Sequence, residues 1–258
     1  MRIIQICAEA AGGGHLEMLK WLRDQDYPWS YSTCEKAAEG GHLEVLRWLR
    51  KRTDFDWERS CTYQGAVEKG QLETLKWLLT EGILDCQSKQ LNNYAAGAGQ
   101  LKVLKWLRKQ GCPWSERVCV LAAQHGHSTT LKWAREHGCP WPMNGLVVCE
   151  KAAEGGHLEI LQWVREQRCQ WDKKTCYKAA FKGHLEVLKW ARSEGCHWDA
   201  ETTSWAACGG HLEVLKWAVA NGCTWNPHFC TLAAKSNPSI LCWIQSTVDR
   251  AARGLGTF

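Results

Sequence analysis

Apolar residues recur along this chain with helical spacing, and that spacing is nested inside a longer period. In residues 184–192, Leu185, Val187, Leu188, Trp190 and Ala191 fall on one wide arc of a helix, leaving Glu186, Lys189 and Ser193 on the other face. With the tryptophan of this stretch as a ruler, the marks fall at Trp21, Trp48, Trp77, Trp106, Trp133, Trp163, Trp190, Trp217 and Trp243, at intervals of 27, 29, 29, 27, 30, 27, 27 and 26 residues. Self-similarity at a fixed period of this length predicts units that bury their apolar faces only by stacking on one another.

Each unit also holds a second, shorter helix. Gly195 predicts a stop after the long helix, and Asp199, which follows the loop residue Trp198, is placed to cap the next helix. Ser30, Ser115, Asp172 and Asn226 are the matching caps elsewhere. The short helix runs from the cap through a pair of alanines; in residues 176–182, Cys176, Ala179 and Ala180 are small inward residues that permit close approach. Insertions fall outside the helices: beside Trp57, between Asp85 and Ala95, and around Asn144 and Gly145. The third unit is the most divergent, with no loop tryptophan in residues 82–86 and Asn92 where a cysteine stands elsewhere, so bending or fraying is expected there. The expected fold is an all-α solenoid of about nine stacked helix-loop-helix repeats over residues 1–245, followed by a polar tail, 246–258.

Composition adds constraints. The 258 residues are 45% hydrophobic and 23% charged, which suits a globular protein, and a formal charge of +5 does not by itself call for a polyanion. The first residues carry no secretory signal pattern, because Glu9 interrupts a short apolar run, and no stretch is long and uncharged enough for a membrane span. The 15 cysteines are therefore expected as reduced thiols in an intracellular, cytoplasmic or nuclear setting. The chain opens directly on the short helix of its first unit without a polar cap, so residues 2–7 are expected to cover or recruit something.

The order A-A-x-x-G-H-L-E-V-L-K-W-x-x-x-x-G-C-x-W-D resembles the ankyrin repeat, with Ala179, Ala180, Gly183, His184, Leu188 and Gly195 at the matching places. Units of about 27 residues are shorter than the 33 of that family. The missing segment, after Asp199, corresponds to the family's β-hairpin finger. The resemblance thus implies a stack of helix pairs with trimmed fingers, and it implies partner binding along the end of the short helix.

Candidate chemistry has to be weighed against packing. The nine helical tryptophans are assigned to the core, and Trp29, Trp57, Trp114, Trp141, Trp171, Trp198 and Trp225 to loop closure; Trp205 belongs to neither series. Two cysteine series, one in the short helix (Cys7, Cys34, Cys119, Cys149, Cys176, Cys230) and one in the loop (Cys112, Cys139, Cys169, Cys196, Cys223), lack the close spacings of a zinc site and are assigned to packing, with no metal and no cofactor expected. His15, His42, His127, His157, His184 and His211 each follow a glycine, a repetition that fits a bond to nearby backbone better than catalysis, which needs different groups at one point. No phosphate loop, G-x-S-x-G or H-E-x-x-H occurs, so no enzyme is expected.

With the repeated positions assigned to packing, the varied ones remain. Leu121, Gln124, His125, Tyr177, Phe181, Lys182 and Trp205 form the most varied and aromatic stretch of the edge that the resemblance points to, and are the candidate partner-binding residues. The expectation is a non-catalytic protein-interaction scaffold; a nucleic-acid-associated repeat protein and a cysteine-rich metal binder are the alternatives.

Overall fold

The computed structural model describes the backbone of residues 2–52, 62–235 and 237–253, and the side chains of 5–52, 63–235 and 237–253. Trp57 lies outside the described residues. Among the described residues eighteen α-helices follow one another in pairs: α1 (Arg2–Gly12) and α2 (Leu16–Asp24), α3 (Tyr31–Gly40) and α4 (Leu43–Arg50), α5 (Thr62–Glu68) and α6 (Leu72–Thr80), α7 (Gln90–Gly97) and α8 (Leu101–Lys109), α9 (Arg117–Gln124) and α10 (Ser128–Glu136). The series continues with α11 (Leu146–Gly155) and α12 (Leu158–Glu166), α13 (Lys173–Lys182) and α14 (Leu185–Ser193), α15 (Ala200–Cys208) and α16 (Leu212–Ala220), α17 (Pro227–Ala233) and α18 (Pro238–Ala252). The first helix of a pair, expected to be the shorter, is longer than the second in α1, α3, α11 and α13 and equal to it in α15; the short helix is the first of a pair and the long helix the second, whatever their lengths. Among the described residues there is no strand, so the fingers are absent.

The chain divides into two compact units. One comprises residues 1–118 and 129–140, the other 119–128 and 141–258. In the first, α1, α3, α5 and α7 pack in succession; in the second, α11, α13, α15 and α17 do the same. Each row closes over paired alanines with no solvent exposure, such as Ala37 and Ala38, Ala152 and Ala153, Ala179 and Ala180. Asp172 and Asp199 cap α13 and α15 by accepting from the backbone N–H two residues on, at 2.9 and 3.0 Å, and Asn226 and Asn237 cap α17 and α18. Ser115 accepts from the Arg117 N–H, whereas Ser30 shares its hydroxyl with Ser32 at 2.7 Å.

The core differs from the sequence expectation. In the long helices the buried residues are aliphatic, as Val45, Leu46 and Leu49 in α4, Ile160, Leu161 and Val164 in α12, Val187, Leu188 and Ala191 in α14, or threonine, as Thr74 in α6 and Thr130 in α10. The helical tryptophans are not core residues; Trp21 is exposed and Trp190, like its other counterparts, is half-buried. The indole is too wide for the gap between helices that approach over alanine and leucine, so it lies on the flank. There, among the described residues, six of them meet the loop tryptophan of the preceding pair, as Trp29 with Trp48, Trp171 with Trp190 and Trp198 with Trp217, at centroid separations of 5.7, 5.7 and 5.6 Å and near edge-to-face angles. An arginine two residues beyond the helical tryptophan completes the layer. Arg23, Arg165 and Arg192 lie over Trp29, Trp171 and Trp198 at 4.1, 4.1 and 4.3 Å. The Arg165 and Arg192 guanidiniums also donate to the Cys169 and Cys196 carbonyls, and Arg23 to that of Tyr27 at 2.8 Å.

Hydrogen bonds join successive pairs. The His42 imidazole Nε2 bonds to the Gly12 carbonyl at 2.8 Å, His157 to that of Gln124 at 3.1 Å, and His184 to that of Glu154 at 3.1 Å. Where the sequence has glutamine instead, Gln71 and Gln100 donate Nε2–H to the Glu39 and Glu68 carbonyls at 3.1 and 2.8 Å. Glutamine can take the place because its amide presents an N–H donor at about the reach of Nε2. The glycine before each histidine clears the path: Gly183 has φ +80, and a Cβ there would sit 2.5 Å from His211 Nδ1.

The divergent third unit is held by a substitute contact: buried Asn92 donates to the Pro113 carbonyl at 2.7 Å. The insertion at residues 142–145 makes a single helical turn with Met143 and Asn144 at positive φ, and the Gln170 N–H donates to the Asn144 carbonyl at 3.1 Å. Residues 246–252 continue α18, with Thr247 buried.

His184 provides a test. Burial holds its imidazole below the ordinary value, outweighing the Glu154 carbonyl bond, which favours the proton. Its neutral form is thus the folded form, and the associated stability is present above about pH 6.5 and is lost as pH falls below that. His184→Ala should destabilise by about 1–3 kcal/mol, His184→Gln should restore most of the loss, and both should flatten the acid-side decline in urea midpoint measured from pH 7.5 to 5.

Candidate functional site

On α13 and α15 the fold gathers four of the seven residues singled out by sequence. Tyr177 and Phe181, one turn apart, flank Trp205 from the next short helix. Tyr177 stacks on the indole with centroids 5.8 Å apart and 23° between planes, and Phe181 meets it edge-on at 5.3 Å and 82°. The Lys182 ammonium lies 5.3 Å from the Phe181 ring. Trp205 remains 40% exposed, so the cluster presents ring surface to solvent.

The other three residues stand apart on α9. Leu121 and Gln124 are half-buried and His125 is exposed, its ring stacked with His127 at 6.5 Å; the Gln124 carbonyl receives the His157 bond. Between them in the chain, α11 contributes charge. Glu154 receives Lys151 from its own helix at 2.5 Å and Lys178 of α13 at 3.4 Å. Burial by itself would raise the Glu154 carboxyl, but the two ammoniums hold it below its ordinary value. Glu150 lacks such a close pair, and burial raises it. Burial likewise raises the Tyr177 phenol.

Sequence reasoning passed over two exposed neighbours. Leu232, 63% exposed on α17, stands 27 residues beyond Trp205 at the same position of its unit, and Phe229 of the same helix is also exposed. The signal was the series Lys178, Trp205, Leu232, spaced by the unit's 27 residues. The arginine over Trp29, Trp114, Trp171 and Trp198 was missed as well, although its fixed distance from the helical tryptophan is visible in the sequence.

Among the described residues, no group of three or more His, Cys, Asp or Glu side chains is placed to hold a metal ion, and the 14 described cysteines are free thiols. The Cys196 and Cys223 thiols donate to the Asp172 and Asp199 carbonyls at 3.3 and 3.2 Å, tying each loop to the cap of the pair before it. Burial pushes Cys149 and Cys223 up to about 12, and raises Cys176, whose first cause is its bond with Cys196.

Repeated helix pairs in rows of short and long helices, with glycine-histidine turns between them, define the ankyrin repeat fold, here in units of about 27 residues. No protein-family model matches the sequence, and no curated protein is similar to it. Solved structures do match: the ankyrin repeat domain of human ASB11 superposes with a TM-score of 0.51 at 16% identity, over 62% of this chain and 83% of that one. No helix among the described residues is long and apolar enough to cross a membrane.

Thiol labelling checks the assignment of the cysteines to packing. In the native protein, iodoacetamide at pH 8 should modify exposed Cys242 first and half-buried Cys86 and Cys208 slowly, leaving Cys149, Cys176, Cys196 and Cys223 unlabelled until denaturant is added, as read by peptide mass spectrometry.

Proposed function

We propose that this chain is a non-catalytic protein-interaction scaffold that engages a protein partner through the short-helix face of residues 119–128 and 141–258. The observation that carries the reading is the solvent-facing triad of Tyr177, Phe181 and Trp205 beside Lys182. Rings held against one another lose little freedom on binding, and tryptophan and tyrosine are the side chains most enriched among dominant contacts. Glu150, Lys151, Glu154 and Lys178 supply a charged border, and Leu121, Gln124 and His125 extend the same edge toward the start of that unit. The surroundings we propose are intracellular, cytoplasmic or nuclear, with neither metal nor cofactor bound; the free thiols support that setting.

The test replaces Tyr177, Phe181 and Trp205 together by alanine. With a photo-crosslinker at position 178, wild-type protein should trap a discrete partner, and the purified pair should bind more than about thirtyfold tighter than the triple variant, a loss of roughly 2–4 kcal/mol, with helicity unchanged. Equal binding by the triple variant would refute the reading.

A further inference from the structure

A different surface, in the unit of residues 1–118 and 129–140, breaks the charge pattern of the long helices. In α2, α6, α14 and α16 the second residue is a glutamate that bonds the lysine three positions on: Glu17 with Lys20, Glu73 with Lys76, Glu186 with Lys189 and Glu213 with Lys216, at 2.6, 2.6, 2.8 and 2.9 Å; α4 and α12 also have a glutamate there, Glu44 and Glu159. In α8 that residue is Lys102, and in α10 it is Thr129. As a result α8 carries Lys102, Lys105, Arg108 and Lys109 without an acid, and α10 carries Lys132 and Arg135 against Glu136 alone. The side chains of Lys102, Lys105 and Lys109 are exposed.

These helices border a groove of about 440 Å³ between Lys105, Arg108, Lys109, Trp133 and His137. Its floor is built. The His137 ring stacks on Trp133 at 4.2 Å and its Nδ1 bonds to the Trp133 carbonyl at 2.8 Å, while the Trp114 indole N–H donates to the His137 carbonyl at 3.0 Å. Arg108 is committed to the Cys112 carbonyl and lies over Trp114, 4.5 Å from the ring centroid. Lys105 and Lys109 are therefore the cations left to meet a ligand.

We infer that this groove docks an acidic peptide segment, whose carboxylates replace the glutamates missing from α8 and α10 and pair with Lys105 and Lys109. Charge complementarity selects an anion. The rings choose between polymers: a nucleobase needs a bare aromatic face, and His137 together with the Lys105 ammonium, 5.7 Å from the Trp133 centroid, occupies that surface.

Fluorescence anisotropy of labelled octaglutamate against the whole chain tests this, with an eight-residue oligothymidylate as comparator. Octaglutamate should bind at low salt. Its affinity should fall about tenfold for Lys105→Glu with Lys109→Glu, less for the glutamine pair at the same positions, and not at all for Lys189→Glu with Lys216→Glu, all variants keeping native circular dichroism. Absence of octaglutamate binding, equal loss in both charge-reversal pairs, or tighter binding of oligothymidylate that depends on Lys105 and Lys109 would overturn the inference.

Discussion

The bond from a side chain at the start of one long helix to a carbonyl at the end of the short helix of the preceding pair is the constraint on which the rest of the structure depends. His42 to Gly12, Gln71 to Glu39, Gln100 to Glu68, His157 to Gln124 and His184 to Glu154 are instances of one interaction. A helix end leaves its last carbonyls without partners, and a stack repeats that problem in every unit. Each such bond contributes only about 0.5–1.5 kcal/mol net, but losing it strands a half-buried carbonyl at a larger cost. It also fixes register, because the donor reaches only when the backbones lie close. The glycines provide that closeness: a Cβ on Gly209 would strike the Phe181 carbonyl, and one on Gly155 that of Gln124.

A second layer holds the loops. Trp29, Trp114, Trp171 and Trp198 are each set between an arginine from their own pair and the helical tryptophan of the next, as with Arg192, Trp198 and Trp217. Cysteine thiols reinforce it from within by donating to the carbonyl of the preceding cap residue. Because these contacts gather at fixed points, the segments between them can change length, and the turn at Met143 and Asn144 absorbs three extra residues without disturbing the Trp141 and Trp163 contact at 6.2 Å.

Stacking uses the repeated positions, which leaves function to the positions that vary. On the short helices this yields aromatic surface around Trp205 next to the Glu154 ion network. On the long helices it yields a basic groove where the glutamate of the pattern is missing. The two surfaces differ in chemistry, one apolar with a charged border and the other cationic with an aromatic floor.

The period, the helix pairs, the capping aspartates and the glycine-histidine turns were legible in the sequence, because each is a local demand on backbone geometry that recurs at a fixed interval. The aromatic triad was legible too: Tyr177 and Phe181 lie one turn apart, and Trp205 sits where the next unit brings it alongside. What only the tertiary structure decided was placement across the stack. An apolar arc does not tell which of its members reach the axis, and the spacing between alanine-lined helices admits Leu188 while turning Trp190 out to the flank. Nor does a string of histidines and glutamines state that both serve one carbonyl, since that equivalence exists only when two units, about thirty residues apart in the chain, are brought within a hydrogen bond's length.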